Sequence, residues 1–347
     1  MAANNSKTLI IGGVAVVALA GAWLGLNALA SGKAEDKLQK VVRDYNLGQY
    51  VRWDEVSASF LGSAHIKGLT ISFPGTEPVY IKSVALHEAE NTDKRTRLKL
   101  SLEEVSNENV GKRLLNYQGI SDAVVESGAY RLPPPSLELD LDADKSRNEA
   151  SIKLKFDLPK VSKGELQADL IQVNGVLSLL GNPPAPSGGF GSTSLSSSLE
   201  QLGYFMQLLQ PVAQVQLSKL NYEVTDLGLM KRRSALWERY STDMDYEQSS
   251  KPSKLRENTR AELIAFTEGP DCSSSSRSAF ALAQSPQKAC KAIRTFVLGD
   301  GTVELSFEPQ MPVPLMKMDE WRPTRWIQGS FSERDAQFVR NLRFDLR

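Results

Sequence analysis

The sequence predicts an α+β protein: one N-terminal transmembrane helix, then a curved, mostly antiparallel sheet with helices packed in the C-terminal half. Three observations carry that expectation. Thr8–Ala30 is a run of 23 residues without a formal charge. Between Tyr50 and Leu170 apolar residues recur with period two, the spacing of strands that bury one face. From Leu199 onward helical and strand periods alternate instead.

Composition narrows the function classes. The chain has 347 residues with 41 Lys+Arg against 41 Asp+Glu, a formal net charge of zero. A nonspecific nucleic-acid binder carries a basic field, which is missing here, so no nucleic-acid partner is expected. A mean hydropathy of -0.29 excludes a polytopic membrane protein. With 2 Cys and 2 His there is no donor set for a structural zinc site or an iron–sulfur cluster. No metal and no cofactor is the expectation.

Residues 1–7 read as a short cytoplasmic tail and 8–30 as the anchor. At about 1.5 Å rise per residue the run exceeds a hydrocarbon core of about 30 Å. A cleaved leader is the competing reading, since Ala28-Leu29-Ala30 precedes Ser31 as an A-x-A site. Leader cores usually span about 7–15 residues, so the length favours the anchor. Orientation is contested. Lys33, Lys37, Lys40 and Arg43 beyond the run outnumber Lys7 before it, which by simple count places the body inside. The cysteine pair argues for export. Cys272 and Cys290 bracket a Ser-rich stretch, and in an oxidising compartment such an isolated pair closes a disulfide worth about 3 kcal/mol. Two unrelated buried thiols are the alternative.

Residues 31–48 read as a juxtamembrane helix, with Ala34, Leu38, Val41, Val42 and Tyr45 at helical spacing. Residues 49–182 read as the antiparallel sheet region. Tyr50–Phe60, Ala64–Phe73 and Val79–Leu86 are three successive strands, punctuated at Leu61-Gly62-Ser63 and Pro74-Gly75. Leu98, Leu100 and Leu102 then alternate with Lys99, Ser101 and Glu103. Leu137, Leu139 and Leu141 alternate with Glu138, Asp140 and Asp142, while Ile152, Leu154 and Phe156 alternate with Lys153, Lys155 and Asp157. Joined through a polar turn at Ala143–Ala150, the last two strands set an acidic row against Lys153 and Lys155, which favours that register over a slip. After Lys163-Gly164, Leu166, Ala168 and Leu170 extend the meander. These apolar rows are the candidate groove.

Residues 183–198 read as a Pro/Gly/Ser-rich linker or loop. Gly188, Gly189 and Gly191 match neither a dinucleotide fingerprint nor a P-loop. Residues 199–347 read as a mixed α+β region holding the disulfide loop. Helices are expected at Leu199–Leu209, Leu229–Glu247, Ser253–Thr267 and Pro286–Leu298, and strands at Val212–Val224 and Thr302–Phe307. Lys231, Arg232 and Arg233 sit near the start of a helix, where basic residues are poorly placed, and mark a candidate partner contact. Trp321 and Trp326, flanking Arg322 and Arg325, mark another. A solvated face and chain-end packing are the plain alternatives.

The chain carries no G-x-S-x-G elbow and no H-E-x-x-H. His65 and His87 lie in or beside expected strands and serve better as surface residues than as bases. No catalytic residue stands out, and a non-enzymatic protein is expected.

Three stretches carry a family resemblance: YVRWDEVSASFLGSAHIKGLTI from Tyr50, LNYEVTDLGLMKRR from Leu220, and AIRTFVLGDGTVELSFEPQMPVPL from Ala292. With the membrane anchor, this arrangement resembles the AsmA-like and YdgA-like envelope proteins of Gram-negative bacteria. The resemblance implies an inner-membrane anchor, a curved periplasmic sheet and a role in envelope or lipid homeostasis. The implied partners are the membrane, phospholipid or another acyl ligand, and envelope proteins. Other expectations are a scaffold subunit of an envelope complex and a hydrolase with an unrecognised site.

The anchor reading has a direct check. Full-length protein should stay in the membrane pellet through an alkaline carbonate wash, and intact mass should include residues 1–30. A mature chain starting at Ser31 would establish cleavage.

Overall fold

The computed structural model describes residues 34–44, 48–58, 63–72, 78–107, 133–181, 210–230, 264–274, 279–299, 301–315 and 333–347. The anchor, the linker, the Leu199–Leu209 helix and most of the helices expected at Leu229–Glu247 and Ser253–Thr267 lie outside the described residues.

One open, curved antiparallel sheet dominates. Its strands are β1 (Val51–Arg52), β2 (Glu55–Ala58), β3 (Ala64–Ile71), β4 (Val79–Asn91), β5 (Arg95–Asn107), β6 (Ser136–Asp144), β7 (Glu149–Leu158), β8 (Ser162–Ile171), β9 (Gln216–Asp226), β10 (Thr302–Phe307), β11 (Val313–Pro314) and β12 (Asp345–Leu346). They lie side by side in the order β1-β3-β4-β5-β6-β7-β8-β9-β10-β12, while β2 also pairs β3 and β11 also pairs β9. The helices are α1 (Ala34–Asp44), α2 (Asn174–Gly181), α3 (Pro270–Ser274), α4 (Pro286–Leu298) and α5 (Glu333–Leu342). A 3-10 turn spans Ala279–Leu282.

Several expected elements change shape. The strand expected over Tyr50–Phe60 breaks at Trp53-Asp54 into β1 and β2. There the Asp54 side chain lies directly over Gly68, whose φ of +62° no ordinary strand residue adopts easily. β4 continues past Leu86 to Asn91, with an irregularity between Leu86 and Glu88. The strand expected from Val212 begins only at Gln216, because residues 210–214 are helical. Its far end is set by Asp226, whose Oδ1 accepts the N–H groups of Gly228 at 2.9 Å and Leu229 at 2.6 Å, capping the chain as it turns into a helix. Residues 49–182 also end differently: the last eight, apart from Asn182, form α2, a helix the strand-like leucine content had concealed.

The β6–β7 hairpin adopts the expected register. Glu138 faces Lys155, Asp140 faces Lys153, and Asp142 faces Ser151. Strand pairing runs to Asp144 and Glu149, so the turn is shorter than expected, with Asn148 at φ 57°. Ion pairing spreads beyond the hairpin. Lys155 Nζ stands 3.3 Å from Glu138, but Lys153 reaches across to Glu165 on β8 at 2.6 Å. Asp142 is held by Arg95, through Nε at 2.8 Å, and by Arg97 at 3.6 Å.

Three apolar clusters stabilise the sheet. The first holds Leu98, Leu100, Leu141, Leu170 and Leu217 under Val173 and Leu177 of the α2 region. The second packs Ala289 of α4 and Val339 and Leu342 of α5 against Phe307 and Leu346. The third joins Leu69, Ile71, Ile81 and Val105 at the β3–β5 end.

Two carboxylates at the hairpin end tie folding to pH. Hydrogen bonding from the Ser146 hydroxyl, then from the Arg147 side chain and backbone, holds Asp144 far below the usual carboxylate range. Hydrogen bonding from Arg95 lowers Asp142. Both shifts are downward, so both carboxylates stabilise the fold above their unfolded value of about 3.9, and that stability is lost as pH falls through the folded values. The thermal midpoint should therefore hold between about pH 7 and pH 5 and drop below about pH 4. Asp144→Asn should flatten part of that acid limb in a series of melts.

Candidate functional site

Antiparallel pairing places directly opposed residues on the same face, so the register tables out each face as rows that cross the strands. One row runs Ala64, Leu86, Leu100, Leu139, Leu154, Leu166, then Tyr222, Leu305 and Leu346. The next runs Val56, Ile66, Val84, Leu102, Leu137, Phe156, then Gly164, Val224 and Val303. On the other side of the first lie Leu98, Leu141, Ile152, Ala168, Leu220 and Phe307. Every leucine, isoleucine and phenylalanine expected to line the groove is therefore on one face, in three adjoining rows.

The rows are unevenly covered. Leu98, Leu100 and Leu141 are buried in the first cluster, and Phe307 and Leu346 in the second, so these positions are core. Leu102, Leu137, Leu139 and Ile152 are half-buried at the margins of the clusters. Between them Leu154, Phe156, Tyr222 and Val224 are half-buried and belong to none of the three clusters. They adjoin one another: Leu154 and Tyr222 flank Leu166, and Phe156 and Val224 flank Gly164. This patch on β7–β9 is the candidate site.

Gly164 shapes it. A Cβ there would stand 2.6 Å from the Phe156 ring and 2.4 Å from the Glu223 carbonyl oxygen, so the ring occupies the space a side chain would fill. Lys163-Gly164 lies within β8, so the strand begins ahead of the alternation at Leu166, Ala168 and Leu170. Tyr222 was also missed, since one tyrosine in an alternating strand carries no signal until its row is known. Burial raises the Tyr222 phenol above its ordinary value, so at neutral pH it is a hydroxyl donor.

The other sequence-derived candidates lie apart from this patch. The Sγ atoms of Cys272 and Cys290 are 1.97 Å apart, at disulfide distance, and both residues are buried, joining α3 to α4. His65 and His87 are exposed and lie at separate positions, the latter 2.9 Å from the Ser101 hydroxyl. Among the described residues no three His, Cys, Asp or Glu side chains gather in a way that holds a metal ion. No helix among them is long and apolar enough to cross a membrane. Lys231, Arg232, Arg233, Trp321 and Trp326 lie outside the described residues. No family model matches the sequence, and no curated protein matches it.

Because Phe156 occupies the space above Gly164, Gly164→Val should force the ring or the β9 backbone to move. The expected loss is about 1–3 kcal/mol of stability, read by chemical denaturation. Leu154→Ala, at a half-buried position outside the clusters, should cost less than Leu100→Ala, which empties core and falls in the range of about 2–5 kcal/mol.

Proposed function

We propose that this is a non-enzymatic, membrane-anchored protein of the bacterial periplasm that binds the acyl chains of envelope lipids on the apolar face of its sheet. The observation that carries the reading is the patch at Leu154, Phe156, Tyr222 and Val224, which continues two of the three apolar rows yet lies outside the three clusters formed by the described residues. Apolar surface on a soluble face has to be covered by a helix, by a partner or by a ligand. At a spacing of about 4.8 Å between strands, the three strands β7–β9 offer roughly 10 Å of apolar surface, suited to part of an extended acyl chain. The uncharged run Thr8–Ala30 supports an inner-membrane anchor, and the buried cysteine pair supports an oxidising compartment, so the body belongs on the periplasmic side.

Full-length protein extracted from bacterial membranes into mild detergent should carry co-bound phospholipid in native mass spectrometry. Replacing Leu154 and Phe156 with aspartate should remove that lipid while leaving the far-ultraviolet circular dichroism of the sheet intact. Wild-type protein that emerges free of lipid, and takes up none when it is added, would overturn the reading.

A further inference from the structure

The helix α4 presents two faces. Ala289, Ala292 and Ile293 belong to the second cluster, with Phe307, Phe344 and Leu346. Cys290 and Arg294, one helical turn apart, form a separate stripe that holds residues 264–274. Within that segment the five-residue helix α3 has a single buried residue, Cys272, so the disulfide is its one buried attachment. Thr267 is buried as well, but its hydroxyl bonds back to the Ile264 carbonyl at 2.8 Å, inside the segment. Two lesser ties reach the neighbouring block: the exposed ion pair Glu268–Arg294, and the Phe266 ring, tilted against Phe280 with 6.4 Å between centroids. An exposed ion pair is individually weak, and a helix as short as α3 does not persist alone. The helix α4 stands differently. Ala289 and Val297 are buried, and Gly299, at φ +88°, closes its end by donating its N–H to Phe296 at 3.0 Å.

We propose that the Cys272–Cys290 disulfide is a redox-sensitive latch: reduction by a dithiol releases residues 264–274 from α4, while α4 stays docked on the sheet. A thiolate of the dithiol attacks one sulfur, forms a mixed disulfide and expels the other sulfur as a thiolate. The second thiol of the reductant then displaces the protein sulfur. The reductant leaves as a disulfide, and two electrons and two protons end on Cys272 and Cys290. Both cysteines are buried, so attack follows a transient opening of residues 264–274. The effect is local because the bond joins a segment of few buried groups to a helix that has its own apolar seat. In an oxidising compartment the latch is closed, and a dithiol reductant acting there opens it.

The test is hydrogen exchange read by mass spectrometry on full-length protein in mild detergent, before and after treatment with dithiothreitol. Reduction should speed exchange across residues 264–274 by about tenfold or more, with β10 and the sheet-facing turns of α4 unchanged. Removing dithiothreitol and reoxidising should restore the original protection. Glu268→Gln in the oxidised protein should leave protection of the segment nearly as it was, which separates the disulfide from the ion pair. Reduction that leaves residues 264–274 as protected as before would overturn the latch. Reduction that also deprotects β10 and β12 would overturn it too, making the bond a staple for the whole end of the sheet. Purified protein whose cysteines react with maleimide on denaturation, without prior reduction, would remove its premise.

Discussion

Register across the β5–β9 meander is the constraint on which the rest of the structure depends. Side chains alternate at every residue, so a one-residue slip of any strand carries its leucines into solvent and its charges into the core. Pairing Leu100 with Leu139, Leu154 and Leu166 in one row fixes Ser101, Glu138, Lys155 and Glu165 in the row on the opposite face. The two faces are therefore not independent. The polar side carries the ion pairs Lys153–Glu165, half-buried, and Lys155–Glu138, exposed, both individually weak, which act against the wrong alignment more than they add to stability.

The candidate site follows from how this sheet is covered. A long sheet with one apolar face needs more covering surface than a single helix provides. Here α2 lies at the β6–β9 hairpin ends and α4 with α5 at the β10–β12 end. Between these two blocks the chain places Gly164, which has no side chain to pack, and Phe156 folds over it. Among the described residues, the patch thus combines a stretch between the two helical blocks with a local thinning of the sheet's own side-chain layer.

Much of the sheet was legible in the sequence because its signal is strictly local. The Leu98, Leu137 and Ile152 runs alternate so regularly that period, face and hairpin register could all be read from them, and Glu138 opposite Lys155 is the outcome. Where local cues misled, a tertiary contact had taken over. The break at Asp54 answers to Gly68 on the neighbouring strand, and Gly164 sits in mid-strand because the Phe156 ring on β7 needs its space. The helix α2 was hidden because Val176, Leu177, Leu179 and Leu180 satisfy either a short strand or two helical turns. The candidate site was legible only in part. Its leucines and Phe156 belong to recognisable rows, whereas Tyr222 gains its meaning from Leu166 and Leu305, distant in sequence and adjacent only after pairing.

From β3 to β10 each strand lies beside the one that precedes it in the chain, so spatial order repeats chain order. Such a sheet can lengthen like a ratchet. Each new strand needs only the exposed edge left by the last one, and no completed pair has to reopen to admit it. Assembly in chain order keeps every intermediate with a single growing edge. The loops between successive strands can then vary in length without altering that sequence of events, since loop closure grows only slowly more costly with length.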